Sequence, residues 1–197
     1  MSTHEKKTTR EVILEAAVQL FTERGADVRL EDVAQRAGLS RQSVYIHFGS
    51  RTGLLLGVVQ YVDQRERVEE KVQRVFQAKS ALEALDLSVT VPAEFCPVVY
   101  PLAKMLMAGR YSDEAIRTAW DDRMAMLREL FRAQAEWLAR DGVLAPEWDV
   151  DTATDVLWAW VSWQVWEQLV VDRGWSKEQY ITHLRTVLRR TLVRDGV

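Results

Sequence analysis

The sequence predicts an all-α fold, with a three-helix unit over residues 1–51 and a larger helical domain over 52–197. Three observations carry that expectation. Apolar residues recur at helical spacing along most of the chain. Ser or Thr stands three residues before an acid or amide where several of those runs begin, as at a capped helix start. No alternating strand pattern of useful length appears apart from LSVTV at 87–91. That β-branched run is ambiguous and is read as helix against its propensity.

Thr8 with Glu11 makes the first capping pattern. Ile13, Ala16, Ala17, Leu20 and Phe21 then form one apolar face, and Gly25 closes the helix. The next segment, LEDVAQRAGLSRQSVYIHF at 30–48, is the most informative in the chain. Leu30, Val33, Ala34 and Ala37 line one side of a short helix, and Gly38 follows where a left-handed residue ends such a helix. Ser40 is a good N-cap for a second short helix, whose Val44 and Phe48 share a face that packs on the first. Small Ala34, turn-forming Gly38 and angle-filling Val44 are what a helix-turn-helix requires. The other side shows Arg41, Gln42, Ser43, Tyr45 and His47, hydrogen-bonding groups suited to base edges and phosphates. Ser50 caps a fourth helix with Arg51 in its first turn. A cation there opposes the helix dipole. A phosphate drawn to both the N-terminal amides and the guanidinium accounts for it.

These residues resemble the TetR family of bacterial transcription factors. The resemblance is carried by ILEAAVQLFTERG at 13–25, VAQRAGLS at 33–40, SVYIHF at 43–48 and FGSRTGLL at 48–55. It is specific over about the first quarter of the chain and rests on helical character and length beyond it. It implies that Arg41, Gln42 and Ser43 occupy base-reading positions and that Tyr45 and His47 hold phosphates. Arg51 falls where members more often carry Lys and touches the backbone. The expected DNA-contact set is therefore Ser40, Arg41, Gln42, Ser43, Tyr45, His47 and Arg51. Two departures concern the second helix. Arg29 stands where members commonly have Thr, which leaves the cap to another residue such as Asp27, and the loop at 25–29 is a residue shorter.

The remaining elements follow in order. Residues 54–78 read as one long helix whose QRERVEEKVQR stretch is a solvated face. Ser80 with Glu83 opens a helix to about 94, and Pro97 suits the first turn of the next, to 107, with Pro101 one turn in. Ser112 starts a long helix to 140, and GVLAPEWDVD at 142–151 is a loop. Thr152 with Asp155 caps a helix to Gly174, and Ser176 with Gln179 caps the last, to 194.

Composition bounds the chemistry. At 48% hydrophobic residues over 197, the chain is globular and buries a sizeable core. The net charge of −3 does not by itself suggest nucleic acid, but residues 1–51 hold eight Lys or Arg against seven acids, while the remainder holds 18 against 22. The acidic excess thus lies outside the expected DNA face, and local phosphate contacts need only a few placed cations. The single Cys96 forms no internal disulfide and reads as a small buried hydrophobe. No signal peptide is evident and no apolar run approaches the ~18 residues of a span, so a cytoplasmic protein without membrane partners is expected.

All eight tryptophans lie from Trp120 onward, and Trp158, Trp160, Trp163 and Trp166 crowd one helix that is apolar nearly all round. Burial on two sides follows, either in a large internal core or partly against a second subunit. Ile181, Leu184, Leu188 and Leu192 make a stripe on the last helix, the expected dimer face of a two-fold homodimer. Phe95, Tyr100, Met105, Trp120, Met124, Leu127 and Trp163 are the expected lining of an apolar effector site, ordinary core being the competing reading for each. The resemblance implies such a site, its occupancy changing the spacing of the DNA-binding heads.

An enzyme fails on inventory. The only histidines are His4, His47 and His183, with no metal-ligand spacing, no Gly-rich phosphate loop and no nucleophile elbow. No cofactor is expected. A helical ligand-binding or scaffold protein without DNA binding is the remaining alternative, and the retained Arg41, Tyr45, His47 and Arg51 argue against it. The expected function is a ligand-responsive transcriptional regulator, a repressor that binds a pseudo-palindromic double-stranded operator as a homodimer and is released by a small apolar or aromatic molecule.

Overall fold

The computed structural model describes residues 7–196, so His4 lies outside them, and every described element of any length is helical. Two compact units are present, Met1–Glu66 with Val98–Trp120 and Arg67–Pro97 with Asp121–Val197.

In the first unit, α1 (Thr9–Arg24) opens on the expected capping box: Thr8 Oγ1 accepts the Glu11 N–H at 3.2 Å and Glu11 accepts the Thr8 N–H at 2.8 Å. A single 3-10 turn at Gly25–Asp27 leads to α2 (Leu30–Ala37), α3 (Arg41–Phe48) and α4 (Arg51–Arg65). Arg29 is the N-cap of α2, and its N–H is satisfied by Asp32 at 2.9 Å, while Asp27 belongs to the 3-10 turn. Ile13, Leu14, Ala17, Leu20 and Phe21 are buried together with Val33, Ala34, Val44, Leu54, Leu55 and Val58, and α1 packs on α2 and α4. Each fully buried Val, Leu or Phe contributes roughly 1.5–3 kcal/mol.

Residues 54–78 form two helices rather than one. Arg67 adopts a left-handed conformation with φ of 52°, which separates α4 from α5 (Val68–Phe76). No Gly or Pro marks the break, and the charged stretch around it has no continuous apolar face to keep it straight. The opposite correction applies further on. α6 (Ala81–Gly109) is a single helix through Pro92, Pro97 and Pro101, where two helices were expected. A proline loses its own N–H bond and crowds the preceding turn, but Val89, Val91, Ala93, Phe95, Cys96, Val99 and Leu102 are all buried, and this packing outweighs the loss. The ambiguous 87–91 run lies inside α6 as helix.

The second unit adds most of α7 (Glu114–Arg140), then α8 (Val150–Trp160), α9 (Trp163–Trp166) with its π-helical continuation Glu167–Asp172, and α10 (Lys177–Leu192). Asp149, one turn earlier than Thr152, is the N-cap of α8 and accepts the Thr152 N–H at 2.8 Å. The expected helix to Gly174 is interrupted at Val161 and Ser162, where Ser162 Oγ caps α9. Ser176 and Gln179 form the expected capping box of α10. The end of α10 is clamped to the preceding loop: Ala145 N–H donates to Leu192 O at 2.9 Å, and the Trp148 indole donates to Thr191 O at 2.6 Å.

The charged link between α6 and α10 is Asp86. It accepts two bonds of 2.8 Å from Arg189 and a further one from Arg185. Burial opposes ionisation of Asp86, but the two guanidinium groups outweigh it and hold the carboxyl below its ordinary range. A group whose folded value is depressed stabilises fully above its unfolded value, about 3.9 for Asp, and loses that contribution as pH falls through the folded value. Asp86→Asn is expected to lower the unfolding free energy at pH 7 by about 1–2 kcal/mol. Urea unfolding of both proteins should converge as pH is taken below about 3.9; a gap that persists in acid would assign the effect to packing.

Candidate nucleic-acid interface and a cavity in the second unit

Three contacts position α3. Gly38 takes the left-handed conformation, φ 68°, and its N–H and that of Leu39 satisfy the last carbonyls of α2. Ser40 Oγ accepts the Ser43 N–H at 3.1 Å and lies 3.0 Å from Ser43 Oγ. Val44 is wholly buried and Phe48 half-buried. At the far end, α4 approaches so closely that a Cβ on Gly53 would stand 2.1 Å from the Phe48 carbonyl oxygen, and one on Gly57 would meet the Phe48 ring at 2.8 Å. The two glycines let α4 close against α3.

With Val44 inward, the opposite side of α3 faces solvent. Arg41, Gln42, Tyr45, Ile46 and His47 are all exposed, Tyr45 by 61% and Ile46 by 72%. At about 100° per residue, Gln42 and Ile46 point farthest from Val44. Sequence reasoning passed over Ile46. Its signal was an apolar residue off the apolar face of a short helix.

The cations are already engaged. Arg41 pairs with Glu31 of α2 at 3.0 Å, with both side chains largely in solvent. Arg36 makes a two-pronged bond to Glu23 at 2.9 and 3.1 Å, which ties α2 to α1. Arg51 is half-buried. Its Nε donates to Val28 O at 2.9 Å and its Nη2 to Ala26 O at 2.6 Å. Those carbonyls supply the reason for a cation in the first turn of α4 that the sequence left to a phosphate. Arg51 braces the α1–α2 loop against α4.

The second unit contains a cavity of about 80 Å³. Val72 and Val75 of α5 contribute to its wall, with Val91, Phe95 and Cys96 of α6. Leu127 and Phe131 of α7 face it, as do Val161, Ser162 and Trp163 at the helix break and Tyr180 of α10. Three of the seven expected lining residues, Phe95, Leu127 and Trp163, are therefore brought together. Tyr100, Met105 and Trp120 are buried in the first unit, and Met124 is half-buried outside the lining. Val91 and Phe131 were readable as partners of Phe95 and Leu127 at i,i+4 spacing. The break at Ser162 and the approach of Tyr180 had no local signal.

The expected dimer stripe falls elsewhere. Leu184, Leu188 and Leu192 are 3%, 0% and 0% exposed within the chain's own second unit, and Ile181 is half-buried. An apolar stripe reports burial but not the partner, and these leucines are internal core. Apolar surface is left on α8, where Trp158 and Trp160 are 40% and 41% exposed. His183 is exposed, its Nδ1 2.9 Å from Gln179 O and its ring against Trp175.

Short capped helices around a buried valine, with a polar helix face turned outward, define a helix-turn-helix DNA-binding protein. Residues 13–58 match the family described as bacterial regulatory proteins, tetR family. The HTH-type transcriptional repressor BepR of Brucella suis biovar 1 is 28% identical over 185 residues, 87% of this chain and 86% of that protein. Among solved structures, a transcriptional regulator from Saccharomonospora viridis in complex with choline superimposes with a TM-score of 0.80 at 21% identity, over 94% of this chain and 97% of its own. A SmeT–triclosan complex superimposes with a TM-score of 0.74 at 18% identity, over 96% and 94%. Residues 13–58 are thus a helix-turn-helix domain of the TetR type, and this domain belongs to a DNA-binding transcriptional regulator rather than an enzyme. Among the described residues, no helix is long and apolar enough to cross a membrane.

Arg51→Ala should lower stability by about 1–3 kcal/mol, since it leaves two loop carbonyls without their charged donor. Thermal melting of the DNA-free protein measures this. An unchanged melt would show that the bracing bonds contribute nothing.

Proposed function

We propose that the protein is a repressor that binds a pseudo-palindromic operator as a homodimer, one α3 per half-site in successive major grooves, and that a small molecule in the second unit weakens that binding. Residues 1–51 are read as the DNA-contacting part, and 52–197 as the part that takes the effector and pairs with a second copy. The exposed polar face of α3 carries the reading, supported by the repressor named among the relatives and by the choline and triclosan complexes of proteins with this fold.

Each side chain of the face has a role. Arg41 and Gln42 read base edges, and Tyr45 and His47 hold phosphates. Ser40 and Ser43 join them at the helix start, and Arg51 holds the loop that sets the approach. Ile46 lies beside Gln42 and takes a thymine methyl. Arg41 must leave Glu31 to reach DNA. An effector acts only through different affinities for the two states of the dimer, and a tenfold preference for the non-binding state is worth about 1.4 kcal/mol per site.

Electrophoretic shifts of the DNA upstream of the protein's own gene test the interface. Tyr45→Ala should weaken all sequences about equally and flatten the salt slope. Glu31→Ala should tighten binding about twofold to fivefold by releasing Arg41. Replacing a contacted thymine by uracil should weaken wild type about fourfold, the worth of one methyl, and leave Ile46→Ala unaffected. Wild-type affinity and base preference in Arg41→Ala would remove α3 from the reading.

For assembly, the exposed tryptophans of α8 are the surface assigned to the second copy. Trp158→Glu with Trp160→Glu should sediment as a monomer with unchanged helicity. A dimer of unaltered stability would place the contact away from α8.

A further inference from the structure

We infer that the cavity of the second unit selects a neutral, single-ring ligand bearing one hydrogen-bonding group, docked on the Tyr180 hydroxyl, and rejects permanent cations of the same shape. The inference rests on reading this unit as the effector domain.

At about 80 Å³ the cavity is about half the size of an apolar cavity that takes benzene, roughly 150 Å³, so a single ring enters by displacing the side chains around it and nothing larger fits. Its lining contains no Asp, Glu, Lys or Arg, so a cation entering it would lose its water and meet no counter-charge. Polar atoms are few and mostly occupied. Ser88 Oγ donates to Leu85 O at 2.8 Å, and Ser162 Oγ caps α9. Tyr180 differs. It is 3% exposed and lines the cavity, its ring is held edge-on against Trp166 at 5.0 Å, and its hydroxyl has no hydrogen-bond partner among the described residues. Burial, with the Cys96 thiol beside it, pushes the phenol further above its ordinary value, so at neutral pH it remains a donor. A phenol hydroxyl without a protein partner, on a residue that lines an apolar space, calls for a ligand that supplies one.

The opposing force is the aromatic wall. Phe95, Phe131, Trp163 and Tyr180 line the cavity, and the faces of aromatic rings attract cations. Whether they replace a counter-charge is decided with three molecules of one outline: phenol, toluene and N-methylpyridinium.

Binding to the full-length protein is measured by calorimetry and by quenching of tryptophan fluorescence. Phenol should bind about three- to tenfold more tightly than toluene, the worth of one hydrogen bond, and N-methylpyridinium should not bind detectably. Tyr180→Phe should bring phenol to the toluene level and leave toluene unchanged, which also shows that the variant keeps the cavity. N-methylpyridinium binding as well as phenol, an unaltered phenol-to-toluene ratio in Tyr180→Phe, or no binding of any of the three would each overturn the inference. The effector reading is separated by a second readout. If the predicted binding pattern appears but operator affinity is unchanged by phenol, effector control through this site fails while the ligand assignment stands.

Discussion

Val44 has no exposed surface, and what α3 presents to solvent follows from that burial. The helix has only eight residues, too few to be stable alone in water. It exists because Val44 and Phe48 are seated among α1, α2 and α4 while Ser40 satisfies its first amides. Once Val44 is inward, helical geometry leaves Gln42 and Ile46 pointing outward, flanked by Tyr45. Gly53 and Gly57 complete the constraint, since any side chain there would push α4 off the Phe48 end of the helix. A face so rigidly held needs little reordering on binding, which suits a surface that must match the spacing of base edges.

The same unit keeps its charges in internal pairs. Arg36 with Glu23, Arg41 with Glu31 and Arg51 with two loop carbonyls hold α1, α2 and the α1–α2 loop in place. Of these cations only Arg41 stands on α3 with a largely exposed partner, so it is the one that exchanges cheaply with a ligand. A net charge of −3 is compatible with DNA binding for this reason: the face depends on where a few groups stand and not on the total.

The second unit is built around an interruption. Val161 and Ser162 end α8 and restart the chain as α9, and the interruption forms part of the wall of the cavity that α5, α6, α7 and α10 enclose. A continuous helix through these residues would carry Trp163 and Trp166 in another direction. Instead Trp166 packs edge-on to Tyr180, and Trp163 reaches the cavity. The leucine stripe of α10 is buried in the core of the unit, and α10 is held to α6 by Asp86 and its two arginines.

Local chemistry determined what could be read from the sequence alone. The capping boxes at Thr8 and Ser176, the left-handed Gly38, the Ser40 cap and the inward Val44 depend on residues within one or two turns of each other, and each appears as expected. The all-helical class and the family of the N-terminal domain followed from them. Only the tertiary structure decided the rest. Pro97 and Pro101 stay in one helix because burial of the residues around them outweighs two lost hydrogen bonds, while Arg67 breaks a helix that no local residue type marks. Arg51 turned to carbonyls more than twenty residues away in sequence. The Leu184, Leu188 and Leu192 stripe announced burial but not its partner, because an apolar face lowers its free energy against any apolar surface and the pattern carries no record of which one. Likewise, which aromatic residues meet around a void depends on how helices far apart in sequence pack, and hydrophobic periodicity encodes the face of each helix without the neighbour it meets.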